Sequence, residues 1–185
     1  IIFIPNVLRC QQFQEFHPPF YKNGKQLVNA TSGGIRNGQF SNIDFNNDGI
    51  MDLFIFDKAN ERPHTFLGVD NGESFIFQYA PQYEASFPRM YKYAILHDFN
   101  NDGVEDLFAL TTPHVSGINV WRGNRTDKGI EFKEIIFRND GFNSIQHIIN
   151  GFSTNVYNSL LDIPAIVDAD FDGDTDILTF DDSGT

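Results

Sequence analysis

Short apolar runs separated by turn-forming residues dominate the chain. Phe40 to Ile43, Leu53 to Phe56, His64 to Leu67, Ser74 to Tyr79, Tyr93 to His97, Leu107 to Leu110, Ile118 to Arg122, Ile130 to Phe137, Ile163 to Val167 and Ile177 to Phe180 each have the length and the aromatic or β-branched content of a strand. Asp70 to Gly72 and Asn124 to Gly129 supply turn chemistry between them. The 20 phenylalanines among 185 residues strengthen an all-β reading, because large aromatic side chains in short runs suit a pleated, half-buried surface.

Three of the polar segments between these runs align without gaps: Asp44 to Asp52, Asp98 to Asp106 and Asp168 to Asp176. They share the pattern D-x-[DN]-x-D-G-x-x-D, and each lies between two predicted strands. The loops begin 54 and then 70 residues apart, which leaves room for two further strands after each. Four strands per repeat predict β-propeller blades of four antiparallel strands. About three blades are expected, over approximately 33–85, 86–140 and 155–185, preceded by an N-terminal segment 1–32. The extra length of the second interval falls mainly in Asn139 to Leu161, an insertion between blades. Pro81 to Pro88 and Gly141 to Gly151 carry linker signals.

Alternate oxygen-bearing side chains wrap naturally around a hard cation that takes six to eight oxygens. Positions 1, 3, 5 and 9 supply them: Asp44, Asn46, Asp48 and Asp52, then Asp98, Asn100, Asp102 and Asp106, then Asp168, Asp170, Asp172 and Asp176. Position 7 varies as Ile50, Val104 and Asp174, as a main-chain carbonyl ligand would permit. Gly49, Gly103 and Gly173 allow the bend at position 6. Without a cation, two carboxylates about 4 Å apart repel by roughly 4 kcal/mol at an effective dielectric of about 20. About three Ca2+ sites are therefore expected. The lack of Cys or ordered His ligands argues against zinc or copper, and the number of protein ligands argues against magnesium. An EF-hand needs an acidic ligand at position 12, where this chain has Ile55, Ala109 and Thr179. Plain Asn-Asp-Gly turn chemistry is the alternative, and three gap-free copies weigh against it.

Asp44 to Asp52 and its two counterparts, each leading into a short apolar strand, resemble the VCBS and FG-GAP repeats of integrin-α-type β-propellers, in style closest to VCBS units of large bacterial secreted or surface proteins. The resemblance runs from roughly Gly33 onward. It implies that each loop joins the first two strands of a blade and holds calcium on one face of a ring. It also implies a secreted or cell-surface location and the remainder of the same propeller as a partner, since three blades make an incomplete ring. The literal Phe-Gly and Gly-Ala-Pro signatures are absent, so no ligand-recognition residue carries over.

The formal charge of −12 argues against nucleic acid or anionic membrane as a partner. No apolar run is long enough to predict a membrane-spanning helix. Cys10 is the single cysteine and excludes an intrachain disulfide. Two readings of the apolar start Ile1 to Leu8 stand side by side, the tail of a signal peptide and a plain first strand; Arg9 weakens a lipoprotein reading of Cys10. The functional expectation is a calcium-stiffened module that binds an extracellular protein or glycan. The competing one is the propeller portion of a carbohydrate-active enzyme. For the latter, His17, His64, His97, His114 and His147 show no metal spacing, and no Gly-x-Ser-x-Gly elbow occurs. His97 is read as a strand residue beside a loop. Trp121, Tyr79, Tyr83, Tyr91 and Tyr93 are candidates for sugar stacking, with blade packing the commoner use of such residues. Asn29-Ala-Thr31 and Asn124-Arg-Thr126 match the glycosylation sequon, a triplet that arises often by chance.

Overall fold

A computed structural model describes residues 18–110, 112, 116–137 and 143–180. Backbone pairing sorts its strands into sheets that follow chain order. A small hairpin, β1 (Tyr21–Lys22) and β2 (Lys25–Gln26), comes first. Then β3 (Gly38–Ile43), β4 (Asp52–Asp57), β5 (Arg62–Asp70) and β6 (Phe75–Tyr79) form a four-stranded antiparallel sheet in that order. A 3-10 helix at Pro81–Ser86 leads to a second such sheet. It consists of β7 (Tyr91–His97), β8 (Asp106–Leu110), β9 (Asn119–Thr126) and β10 (Gly129–Glu134). A hairpin of β11 (Gln146–Ile149) and β12 (Phe152–Asn155) follows, and then the pair β13 (Ala165–Val167) and β14 (Asp176–Leu178). The fold is all-β, and its four-stranded antiparallel meanders are β-propeller blades.

Stacking explains why the inner strands are apolar on both faces. Every residue of β8 is buried, as are five of the six in β4. One core lies between the two four-stranded sheets and joins Phe45, Phe54 and Phe56 to Met90, Leu107 and Trp121. Phe87 pins this junction: its ring stacks on Phe54 at 4.6 Å and meets Phe45 and Phe132 at 6.0 and 4.8 Å, so it touches both sheets. A second core covers the other face of the second sheet, where Phe108, Ile118 and Val120 pack with Ile166 of β13.

The strand pattern departs from the sequence reading in four places. β9 continues through Asn124, Arg125 and Thr126, and the turn shrinks to residues 127–128, because Arg125 and Asn124 pair with Ile130 and Glu131 across the hairpin. β10 stops at Glu134 rather than Phe137. β13 takes up only the last three residues of Ile163 to Val167, and β14 begins at Asp176, one residue before its apolar run, and stops at Leu178. Residues 143–161 of the predicted insertion are not structureless, since β11 and β12 pair in register from Gln146↔Asn155 to Ile149↔Phe152. Cys10, His17, His114, the apolar start and residues 139–142 lie outside the described residues.

The segment 18–32, expected only as a lead-in, shields an edge. β6 ends the first sheet, and its free backbone groups face Asn29. Asn29 Nδ2 donates to Phe77 O at 2.8 Å, and Asn29 Oδ1 accepts from Tyr79 N at 2.7 Å. One amide thus imitates a neighbouring strand, and an open edge is a liability in any sheet. This use of Nδ2 weighs against Asn29 as a glycosylation acceptor. Among the described residues no helix is long and apolar enough to cross a membrane.

Asn29→Ala removes both bonds to the edge. The expected loss is about 1–2 kcal/mol of stability, with faster amide exchange at Tyr79 than at residues of β4. Unchanged exchange at Tyr79 would show that the edge is shielded by something else.

Candidate metal centre

Each acidic segment is the connection between the first two strands of its sheet: β3 to β4, β7 to β8 and β13 to β14. All three take one backbone course. Position 4 has left-handed φ in each, at 60° for Asn47, 57° for Asn101 and 63° for Phe171, and the position-6 glycines lie at 82°, 82° and 97°. The position-1 aspartate accepts the N–H of that glycine in every copy: Gly49 N to Asp44 Oδ2 at 3.1 Å, Gly103 N to Asp98 Oδ2 at 2.8 Å and Gly173 N to Asp168 Oδ2 at 3.1 Å. The position-5 aspartate accepts the N–H two residues on, from Ile50, Val104 and Asp174 at 2.8, 3.0 and 3.1 Å.

Position 9 is the best-anchored carboxylate. Asp52 and Asp106 are fully buried at the start of β4 and β8. Asp52 Oδ2 accepts from Phe45 N at 2.7 Å and its Oδ1 from Gly68 N at 2.7 Å. Asp106 repeats this with Phe99 N at 3.2 Å and Gly123 N at 2.8 Å, and Asp176 accepts from Ala169 N at 2.9 Å. Each closes its loop, and the first two also tie the loop to the third strand of the sheet. Burial raises both pKa values, to about 6 for Asp106; the backbone N–H bonds act in the opposite direction.

Gly68 and Gly123 are a part of the repeat that a loop-only alignment misses. A Cβ on Gly68 would meet Met51 O at 2.5 Å, and one on Gly123 would meet Glu105 O at 2.2 Å. In both sheets the carbonyl of loop position 8 presses on the third strand, and only glycine allows it. The signal was present in the sequence, since Gly68 follows Asp52 by 16 residues and Gly123 follows Asp106 by 17.

The loops differ in how far they gather their oxygens. In the third, carboxylate oxygens of Asp168, Asp170 and Asp176 lie within 4.8 Å of one another. Among the described residues no other group of three His, Cys, Asp or Glu side chains does so, the first two loops having Asn46 and Asn100 at position 3; there Asp44, Asp48, Asp102 and Asp106 meet side-chain donors. Arg125 Nη1 lies 3.4 Å from Asp44 Oδ2 and also bonds Asn47 Oδ1, while its Nη2 donates to Gly103 O at 3.0 Å. Arg122 Nη2 reaches Asp102 Oδ2 at 2.7 Å, which lowers the Asp102 pKa. Asn46 Nδ2 donates to Asp48 Oδ2 at 2.8 Å. Two oxygens at ligand positions are buried without a partner, Asn100 Oδ1 in the second loop and Asp168 Oδ1 in the third. In the third loop the like charge of Asp172 raises the Asp174 pKa. Ile50 and Val104 at position 7 turn their side chains inward: Val104 joins the main core, and Ile50 Cγ2 is among the atoms that crowd Gly68.

Most of the remaining candidates have structural partners, whereas Nδ1 of His64 has no hydrogen-bond partner among the described residues. His97 Nε2 sits 3.1 Å from Thr175 Oγ1, across to the third loop. His64 is buried with Nδ1 4.0 Å from Glu84 Oε1, and burial lowers its pKa. Trp121 is in the core, and Tyr93 is buried with its hydroxyl donating to Gly117 O at 3.0 Å. Tyr83 stacks on Phe45 at 5.3 Å, Tyr79 donates to Glu84 at 2.9 Å, and Tyr91 lies under Arg89. These rings do not form one exposed sugar-stacking surface.

Residues 44–109 match the family model described as FG-GAP-like repeat. The match starts at position 1 of the first loop and ends in β8, so it takes in the first sheet from that loop onward and the whole second loop. No curated protein sequence and no solved structure matches the chain. The fold defines the class as all-β with four-stranded β-propeller blades, and residues 44–109 of it are similar to an FG-GAP-like repeat.

Gly68→Ala and Gly123→Ala are each expected to cost about 1–3 kcal/mol, from overpacking against the position-8 carbonyl, in EDTA as well as in calcium. Equal denaturation midpoints for wild type and variants would refute the close contact. Asp106 should titrate near 6 in EDTA, followed by carboxyl NMR. Because its folded pKa lies above the unfolded value, its contribution is full below about pH 4 and is lost as pH rises through about 6. His64 works the other way in part of this window, since its folded pKa is lowered. The residue-specific signal therefore decides, and titration of Asp106 near 4 would contradict the burial effect.

Proposed function

We propose that the chain is a calcium-binding repeat module of a secreted or cell-surface protein, with calcium in a structural role and the blade surface available to a protein or glycan partner. The observation that carries the calcium reading is Asp168 Oδ1, a carboxylate oxygen buried without a partner in the one loop where three carboxylates converge. A buried polar atom without a partner is costly, and a cation would supply what the protein does not give to Asp168 Oδ1, whose companion Oδ2 accepts from Gly173 N. Every side-chain donor at positions 1, 3, 5 and 9 is an oxygen, which suits a hard cation with many protein ligands. The FG-GAP-like match over 44–109 and the acidic net charge agree with an adhesion-type module. The cation would supply only charge neutralisation and cross-bracing. The protein's part is to hold the loop in its ligand-ready course through the position-6 glycine and the position-9 aspartate.

Extracellular modules with such ligands bind calcium at about 10⁻⁴ to 10⁻³ M, so a tenfold excess adds roughly 1.4 kcal/mol per site. In a chain of this size that corresponds to about 2–4 °C in melting temperature for each kcal/mol. Millimolar calcium should raise the melting temperature above that in EDTA, and magnesium should do so less. Combining Asp48→Ala, Asp102→Ala and Asp172→Ala should abolish the rise. A folded wild-type chain with no calcium-dependent shift would defeat the reading.

A further inference from the structure

The three loops share one backbone but not one electrostatic environment, and the difference traces to β9. Arg125 and Arg122 sit three residues apart on that strand and serve different loops. Arg125 reaches across the junction between the sheets to Asp44 and Asn47 of the first loop, and on its other side to Gly103 O of the second. Arg122 pairs with Asp102 of the second loop. Asp44 and Asp102 occupy positions 1 and 5, both ligand positions. A guanidinium is permanently charged and offers its donors in a fixed fork, so it offsets one carboxylate charge of an acidic loop without an ion. Among the described residues the salt bridges reach only the first two loops. The third loop also carries aspartate at positions 3 and 7, where the first two have Asn46 and Ile50, and Asn100 and Val104. It alone brings three carboxylates together.

We propose that Arg125 and Arg122 stand in the place of a metal ion in the first two loops, which leaves the third as the loop that takes up calcium first. The inference rests on the calcium reading above and adds an order of filling to it. Guanidinium and ion draw on the same carboxylate oxygens, so each weakens the other's hold, and coupling of this kind commonly amounts to 5- to 150-fold in affinity. Arg125 is a positioning residue: it joins Asp44 of one sheet to the hairpin of the next, so the junction is braced before any ion arrives.

Calorimetric calcium titration of the full chain, paired with melts in EDTA and in calcium, tests this. Arg122→Met and Arg125→Met, singly and together, keep the aliphatic stem and remove the charge. Wild type is expected to bind about one ion tightly and to lose it in Asp172→Ala. The double variant should bind further ions with affinity about tenfold or more above the wild type's residual sites. In EDTA the Arg125→Met melt should fall by roughly 2–4 °C, with calcium restoring most of the loss. Arg125→Lys, which keeps charge but not the fork, should fall between the two. Calcium binding by wild type with identical stoichiometry and affinity in the arginine variants overturns this proposal alone. Absence of calcium binding in wild type and variants alike overturns the calcium reading with it. Binding by the double variant but not by wild type would overturn the priority of the third loop while supporting the arginines in the ion's stead.

Discussion

The buried aspartate that opens the second strand of each four-stranded sheet is the constraint on which the other features depend. Asp52 and Asp106 have no solvent exposure, yet each keeps both oxygens occupied by backbone N–H groups, one from the loop it closes and one from the third strand. A carboxylate in that setting is tolerable only with such partners. The loop must therefore return close enough to present Phe45 N or Phe99 N, and the third strand must come close enough to present a glycine N–H. That approach presses Met51 O and Glu105 O against Gly68 and Gly123, where no side chain would fit. Loop, second strand and third strand are one locked unit around a single carboxyl group.

Such a unit is heavily acidic, and the chain answers the repulsion in two ways. One carboxylate charge in each of the first two loops is offset from β9, and Arg125 does this across a sheet boundary. The same boundary is sealed by Phe87 against Phe54 and Phe132. Charge and apolar packing thus act on one joint, with the aromatic contact excluding water below and the guanidinium bridging the rim. Exposed ion pairs are usually worth little, but the Asp44 partner is nearly buried, and Arg125 makes several contacts at once.

The loops and most strands were legible in the sequence because their signals are local: aspartate spacing, the position-6 glycine and short apolar runs. What the sequence hid is contact between segments far apart in the chain. Arg122 was legible as the end of a strand and Arg125 looked like part of a turn, whereas both belong to one strand whose side chains serve two loops. Gly68 and Gly123 carried a readable spacing, but their purpose appears only when the third strand is seen against loop position 8. Asn29 reads as part of a sequon, and its bonds to Phe77 and Tyr79 lie about 50 positions away. The aromatics proposed for sugar stacking dispersed into separate packing contacts, since composition cannot say which face a ring occupies.

Position 4 shows how one backbone course can carry different loads. Asn47 and Asn101 adopt left-handed φ, which asparagine tolerates, and each returns a bond to a neighbouring segment: to Thr126 O at 3.1 Å and to Gly173 O at 3.5 Å. Phe171 adopts left-handed φ as well, at 63°, and the residue is 90% exposed. A bulky side chain in that conformation costs on the order of 1–2 kcal/mol, and the benzyl group has no polar atom with which to make a corresponding bond. The third loop therefore bears backbone strain without the side-chain bond that the other two gain, and it has neither of their arginines. Of the three, it draws least on the protein for its shape, and its carboxylates stand closest together.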